Sequence, residues 1–142
     1  MRVVLDTNVI VSALLSPAGA PGRVLDLLST GRIVALYDDR MLGEYRDVLP
    51  RPGLKLSDAV VGATLDFIRR EGLLVLAPPL RVDLPDPDDR AFIEVAAEGG
   101  AVAIITGNIR HFAAACALVG VPAMTPAEFI RFWRDQDLPG SP

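Results

Sequence analysis

Short apolar runs alternate along this chain with longer amphipathic stretches, and glycine, proline and aspartate punctuate them. Val3 to Leu5 is an apolar run that halts at Asp6, and Thr7 to Leu15 continues with helical spacing. Pro17 to Gly22 reads as a loop from its glycine and proline content, after which Arg23 to Leu28 forms a helix stopped by Gly31. Ile33 to Tyr37 is a second strand. Asp38 or Asp39 then caps a helix running to about Leu49, which Pro50 and Pro52 end. A longer helix spans Ser57 to Glu71 with Gly72 as its stop, Leu73 to Leu76 is a third strand, and a proline-rich loop runs to Pro87.

The second half repeats the alternation. A helix is expected near Asp88 to Glu98, built on the apolar-rich stretch Ala91-Phe92-Ile93-Glu94-Val95-Ala96, then a turn at Gly99-Gly100 and a strand over Val102 to Ile105. A helix near Arg110 to Val119 leads to a short strand at Met124. Thr125-Pro126-Ala127-Glu128 opens the last helix with a capping threonine, proline at the first helical position and glutamate at the third. That helix ends near Arg134. Strands alternating with helices predict an α/β fold with a parallel sheet of four or five strands covered on both faces. No repeat or linker interrupts the pattern, so residues 1–135 read as one domain with a short frayed tail at 136–142.

Composition sharpens this picture. The 142 residues are 51% hydrophobic and 23% charged, which is a globular balance, large enough for a sizeable core. The mean hydropathy of +0.36 is high for a small protein and points to an apolar interface. A homodimer built on the helix face Val9, Ile10, Ala13 and Leu14 is expected. No apolar run approaches the roughly 20 residues a membrane helix needs. The apolar start is too short for a signal-peptide core, and the single cysteine, Cys116, excludes an internal disulfide and a cysteine zinc site. The reading is a cytoplasmic protein without a membrane partner.

The net charge of −4 argues at first against a nucleic-acid partner. However, the acidic residues cluster where chemistry is expected. Asp6 ends a strand, and it also fits a helix N-cap. Glu44 lies at the edge of the apolar face formed by Met41, Leu42, Tyr45, Val48 and Leu49, given about 100° per residue, so its carboxylate can reach a neighbouring strand end. Asp86, Asp88 and Asp89 cannot all cap one helix, and Asp88 is the natural N-cap among them. Carboxylates gathered at strand ends repel by several kcal/mol per pair at about 4 Å and intermediate dielectric, unless a hard divalent cation lies between them. Such an arrangement points to metal-dependent chemistry on phosphate. His111, the sole histidine, is a candidate general base or a structural residue beside Phe112; Cys116 reads as a small buried residue. All basic residues except Lys55 are arginines, and Arg40, Arg46, Arg51, Arg69, Arg70 and Arg110 could contact phosphates.

The segments Val4-Leu5-Asp6-Thr7-Asn8-Val9, Glu44-Tyr45, Asp86-Pro87-Asp88-Asp89 with Phe92, and Ile105-Thr106-Gly107-Asn108 with His111-Phe112 appear in that order. In this combination the chain resembles the PIN-domain family of metal-dependent nucleases, and within it the bacterial VapC-like branch of toxin–antitoxin systems. The resemblance runs from residue 3 to 112. It implies a three-layer α/β/α sandwich whose sheet gathers acidic residues at one end, binds Mg²⁺ or Mn²⁺ and hydrolyses RNA. Carried over, Asp6, Glu44, Asp86 and Asp89 would be the catalytic and metal-binding carboxylates, with Asn8, Thr106 and Asn108 as polar supports. Many members have aspartate where this chain has Asn108, which removes one negative charge and puts a second bound metal in question. The implied partners are an RNA substrate and an antitoxin protein.

Other classes fit less well. Haloacid-dehalogenase-type phosphatases want an aspartate two residues after the first, where this chain has Asn8, and receiver domains want a lysine after a late strand, whereas Lys55 falls between helices. A degenerate, non-catalytic PIN-like module that binds RNA or protein is the alternative, and Asn108 is the residue that favours it.

Overall fold

The computed structural model describes residues 1–136 apart from Val82 and Pro85. Five strands, β1 (Arg2–Leu5), β2 (Val34–Tyr37), β3 (Leu73–Leu74), β4 (Ala103–Ile105) and β5 (Ala123–Met124), form one sheet in the order β3-β2-β1-β4-β5. Every pairing is parallel, so each strand is followed by a helical crossover. The helices are α1 (Thr7–Leu15), α2 (Ala20–Ser29), α3 (Asp39–Val48), α4 (Asp58–Glu71), α5 (Arg90–Gly99), α6 (Ile109–Val119) and α7 (Pro126–Gln136). On one side α2 packs against α1 and α7; α5 lies across β1, β2 and β4 with α6 and α3 beside it.

The central strand explains where a site can form. Val3, Val4 and Leu5 are at most 1% exposed, as expected of a strand covered on both faces. The chain moves outward from β1 through β2 and β3, then returns to the other side of β1 for β4 and β5. In open α/β sheets the crevice at such a reversal, outside the carboxyl ends of the strands, is the ligand-binding position. Here it lies between β1 and β4, whose ends are joined by the Asp6 N–H donating to the Ile105 carbonyl at 2.9 Å.

Three boundaries differ from the sequence expectation. Helix α2 begins at Ala20, inside the predicted loop, because Pro21 suits the first helical turn and Gly22 lets the chain double back. A Cβ at Gly22 would stand 1.9 Å from the Pro17 carbonyl oxygen, so no other residue fits that close approach. Helix α5 begins only at Arg90, since Pro87–Asp89 forms a separate 3-10 turn. Strand β3 is two residues long, although the Val75 N–H still donates to the Tyr37 carbonyl at 2.8 Å. The predicted start of α7 is reciprocal: the Glu128 N–H donates to Thr125 Oγ1 at 3.1 Å and the Thr125 N–H to Glu128 Oε1 at 3.2 Å. Gln136 belongs to α7, and the remainder of the predicted tail lies outside the described residues. Among the described residues no helix is long and apolar enough to cross a membrane.

The proposed dimer face is corrected outright. Val9, Ile10 and Ala13 are at most 2% exposed and Leu14 packs against the core, so this helix face is spent inside the subunit.

A buried carboxylate inside the apolar stretch of α5 ties the layers together. Glu94 is 3% exposed. Its Oε1 accepts from Arg40 Nη1 at 2.7 Å, and its Oε2 accepts from the Leu80 N–H at 2.7 Å and from Arg90 Nη1 at 3.4 Å. Arg90 Nη1 also donates to the Leu80 carbonyl at 2.8 Å, and Arg40 Nε to Asp38 Oδ2 at 2.8 Å. Asp38 in turn caps α3 by accepting from the Met41 N–H at 3.0 Å. One network therefore fixes the end of β2, the start of α3, helix α5 and the segment that leads to the Pro87–Asp89 turn. Burial pushes the Glu94 carboxyl upward, but the hydrogen bonds from Arg40, Leu80 and Arg90 and the Arg40 charge outweigh it and hold it below its ordinary value. A lowered folded value means stability that is present above the ordinary value near 4.5 and is lost as pH falls through the folded one. Urea unfolding across pH 3–7 should show that acid loss in the wild type. Glu94→Gln should be weaker by about 1–3 kcal/mol at pH 7 and should show a flatter acid arm; an unchanged arm would remove Glu94 from the account.

Candidate functional site

Asp6 stands at the carboxyl end of β1, in the N-cap position of α1, and makes no capping hydrogen bond there. Its carboxylate is held instead from the neighbouring strand: Thr106 Oγ1 donates to Asp6 Oδ2 at 2.8 Å. Thr106 is fully buried, and the same hydroxyl oxygen accepts from the Asn108 N–H at 3.0 Å, which shapes the turn out of β4. Thr106 thus lies beneath the site rather than in its wall.

Glu44 arrives from α3. Tyr45 Oη donates to the Leu5 carbonyl at 2.6 Å and pins α3 across the end of β1, so the residue before it faces the same crevice as Asp6. Burial, and then the charges of Asp6 and Glu44, push the Tyr45 hydroxyl well above its ordinary value, which keeps it a neutral donor. The buried hydroxyl of Thr7 donates to Glu44 Oε2. Neither role was visible in the sequence reading. A threonine just after a strand-ending aspartate carries a weak signal of this kind; the Tyr45 bond spans 40 residues and carries none.

The Asp86–Asp89 turn supplies the opposite wall. Asp88 caps no helix: Asp89 holds the N-cap position of α5 without a side-chain capping bond, and Asp86 caps the preceding 3-10 turn, its Oδ1 accepting from the Asp88 N–H at 2.9 Å. With one oxygen so fixed, Asp86 Oδ2 lies 3.6 Å from His111 Nε2. Asp88 is exposed at the rim, because the turn's geometry leaves its side chain outside. Asp89 is 8% exposed and meets His111 Nε2 at 2.9 Å through Oδ2. His111 comes from the first turn of α6, with its ring edge-on to Phe112 at 5.3 Å. Phe112 in turn packs on Phe92 and Phe92 on Tyr45, with centroids 6.3 Å and 6.4 Å apart. These rings tie α3, α5 and α6 together below the cleft.

The structure accordingly brings Asp6, Glu44, Asp86 and Asp89 to one cleft, with Asn8, Asn108, Asp88 and His111 in its lining and Arg51 as the arginine at its edge. Arg40 is committed to Asp38 and Glu94, and Arg70 to Glu71 at 3.3 Å. Burial raises the Asp6 carboxyl above its ordinary value against the Thr106 hydrogen bond. Asp89 is raised too, by burial first, with the charges of Asp86 and Asp6 adding to it and His111 opposing. Burial is the leading cause of both shifts. The donor set fits a cation: ligand atoms from Asp86, Asp89 and His111 all lie within 4.8 Å of one another, and an ion with ligands at about 2.0–2.6 Å can span such a gap.

The chain was compared with known proteins. A PIN-domain family model matches residues 2–110. An uncharacterized protein of Methanocaldococcus jannaschii is 33% identical over 111 residues, covering 76% of this chain and 71% of that protein. The fold is similar to a chain in the crystal structure of VapBC2 from Rickettsia felis bound to a DNA fragment from their promoter, with a TM-score of 0.57 and 14% identity, over 88% of this chain and 98% of that one. With the match covering Asp6, Glu44, Asp86 and Asp89 as well as strands β1 to β4, the chain belongs to the PIN-domain family.

Proposed function

We propose that the protein is a metal-dependent endoribonuclease that hydrolyses RNA phosphodiester bonds, and that residues 1–135 act as one nuclease domain. The observation that carries this reading is the convergence of Asp6, Glu44, Asp86 and Asp89 on a cleft at the topological switch point of the sheet. Family membership and a fold shared with a chain of VapBC2 support the further reading of a type II toxin with an antitoxin partner, acting in the cytoplasm.

In this mechanism Asp6, Glu44, Asp86 and Asp89 would hold Mg²⁺ or Mn²⁺. The cation, when bound, supplies Lewis-acid activation of water and stabilises charge on the scissile phosphate. Thr106 and Thr7 fix Asp6 and Glu44 in orientation, since each donates a hydrogen bond to one carboxylate oxygen. Asn8 and Asn108 offer neutral amide donors to phosphate oxygens, and Arg51 offers a charged one. Water attacks phosphorus and gives up a proton to solvent, the bond to the leaving oxygen breaks, and a proton from solvent returns that oxygen as a hydroxyl.

Asn108 favours a second reading, a PIN-like binding module without catalysis, because it offers an oxygen without a charge. Incubating a labelled single-stranded RNA with the purified protein, with Mn²⁺ or EDTA, separates the two. Cleavage that requires the metal supports the nuclease; retention of uncut RNA in both conditions supports the module.

Asp6→Asn should lower the cleavage rate at least about 100-fold. Asp6 has a raised folded value, so it favours the fold below its ordinary value near 3.8 and that advantage is lost as pH rises through the folded value. At pH 7 without metal, Asp6→Asn should therefore unfold at a higher temperature than the wild type. Mn²⁺ at about 100 times its dissociation constant should stabilise the wild type by roughly 2.7 kcal/mol. A wild type that gains nothing from Mn²⁺ would contradict the metal site.

We also infer a homodimer, now from a different surface. Strand β3 is an edge strand, and Leu74 and Leu76 beside it are 48% and 84% exposed. Light scattering at micromolar concentration should give about twice the 15.2 kDa chain mass, and Leu76→Glu should return it to one. A wild type that stays monomeric contradicts this.

A further inference from the structure

His111 lines the cleft beside the carboxylates without being one of them. It rises from the first turn of α6, its N–H donating to the Asn108 carbonyl at 3.2 Å, and its ring is steadied edge-on by Phe112 at 5.3 Å. Nε2 points at two carboxylates, 2.9 Å from Asp89 Oδ2 and 3.6 Å from Asp86 Oδ2. The three side chains hold their ligand atoms within 4.8 Å of one another. Resting on the metal-dependent reading above, we propose that His111 Nε2 is itself a ligand of the cation shared with Asp86 and Asp89, and that this nitrogen selects a first-row transition ion, Mn²⁺ in particular, over Mg²⁺.

Two ligands on one ion at about 2.0–2.6 Å each stand at most roughly 4–5 Å apart, and all three atoms satisfy that limit. A hydrogen bond of 2.9 Å between Nε2 and Oδ2 is the contact that such a pair makes when no ion separates them. Ligation needs a small parting of the two and release to solvent of any proton held between Nε2 and Oδ2, leaving the ring proton on Nδ1. Imidazole nitrogen is a poor partner for Mg²⁺, which prefers oxygen and keeps its waters, whereas first-row transition ions accept it readily. Among these, Mn²⁺ also suits the oxygen donors that make up the rest of the set.

A purely structural histidine would hold Asp89 in place and never touch the ion, and the two cases give different spectra. Electron spin-echo modulation of the wild-type protein loaded with Mn²⁺ should show coupling to a histidine ¹⁴N, and the coupling should vanish in His111→Gln. Calorimetric titration should find Mn²⁺ bound more tightly than Mg²⁺ by the wild type, and His111→Gln should weaken Mn²⁺ about tenfold or more while moving Mg²⁺ little. The wild-type spectrum stands without any variant, so poor folding of His111→Gln does not blunt the test. Mn²⁺ that binds without nitrogen coupling, or Mg²⁺ that binds as tightly as Mn²⁺, overturns this inference and leaves the carboxylate site intact. Failure to bind Mn²⁺ at all overturns both.

Discussion

Carboxylates crowded at the carboxyl end of a parallel sheet repel one another, and everything around this cleft serves to hold them against that repulsion. Asp6 and Asp89 are both pushed toward their protonated forms, by burial before anything else. The scaffold answers with donors that bring no positive charge into the cleft: the Thr106 hydroxyl on Asp6, the Thr7 hydroxyl on Glu44 and the Asp88 N–H on Asp86. Neutral donors orient a carboxylate without cancelling its charge. The cleft is left with unneutralised charge, which is the electrostatic condition for attracting a cation.

The same constraint explains why so much structure behind the cleft is polar yet dry. Glu94 carries its charge in the core only because Arg40, Arg90 and the Leu80 N–H surround it. Arg40 lies one turn before Glu44 on α3, and Glu94 lies on the helix that begins just after Asp89. The ion pair therefore sets the separation of the two helices that bring carboxylates from opposite walls. The Tyr45 bond to Leu5 performs the equivalent task between α3 and β1.

Much of this was legible in the sequence, and the reasons are local. The run Val3 to Leu5 halting at Asp6 declared a buried strand and its end, and Thr125 to Glu128 declared a helix start through a capping box that the structure repeats atom for atom. What escaped was set by contacts distant in the chain. Nothing marked out Glu94 within its apolar-rich stretch, because its partners Arg40 and Leu80 are 54 and 14 residues away. Arg40 read as a phosphate contact for the same reason. The face Val9, Ile10 and Ala13 looked available to a second subunit, since periodicity reports an apolar face without saying what covers it. Asp88 lost the capping position because Pro87 starts a short 3-10 turn, capped by Asp86, ahead of the helix, and composition does not encode that shift of the helix start to Arg90.

The central claim is that these carboxylates share a divalent cation, and an anomalous difference map from crystals grown with Mn²⁺ tests it most directly. The account predicts a peak inside the cleft, with oxygens of Asp89 and at least one of Asp6, Glu44 and Asp86 at about 2.0–2.6 Å from it. An ordered cleft with no peak, or a peak coordinated elsewhere on the molecule, would contradict it.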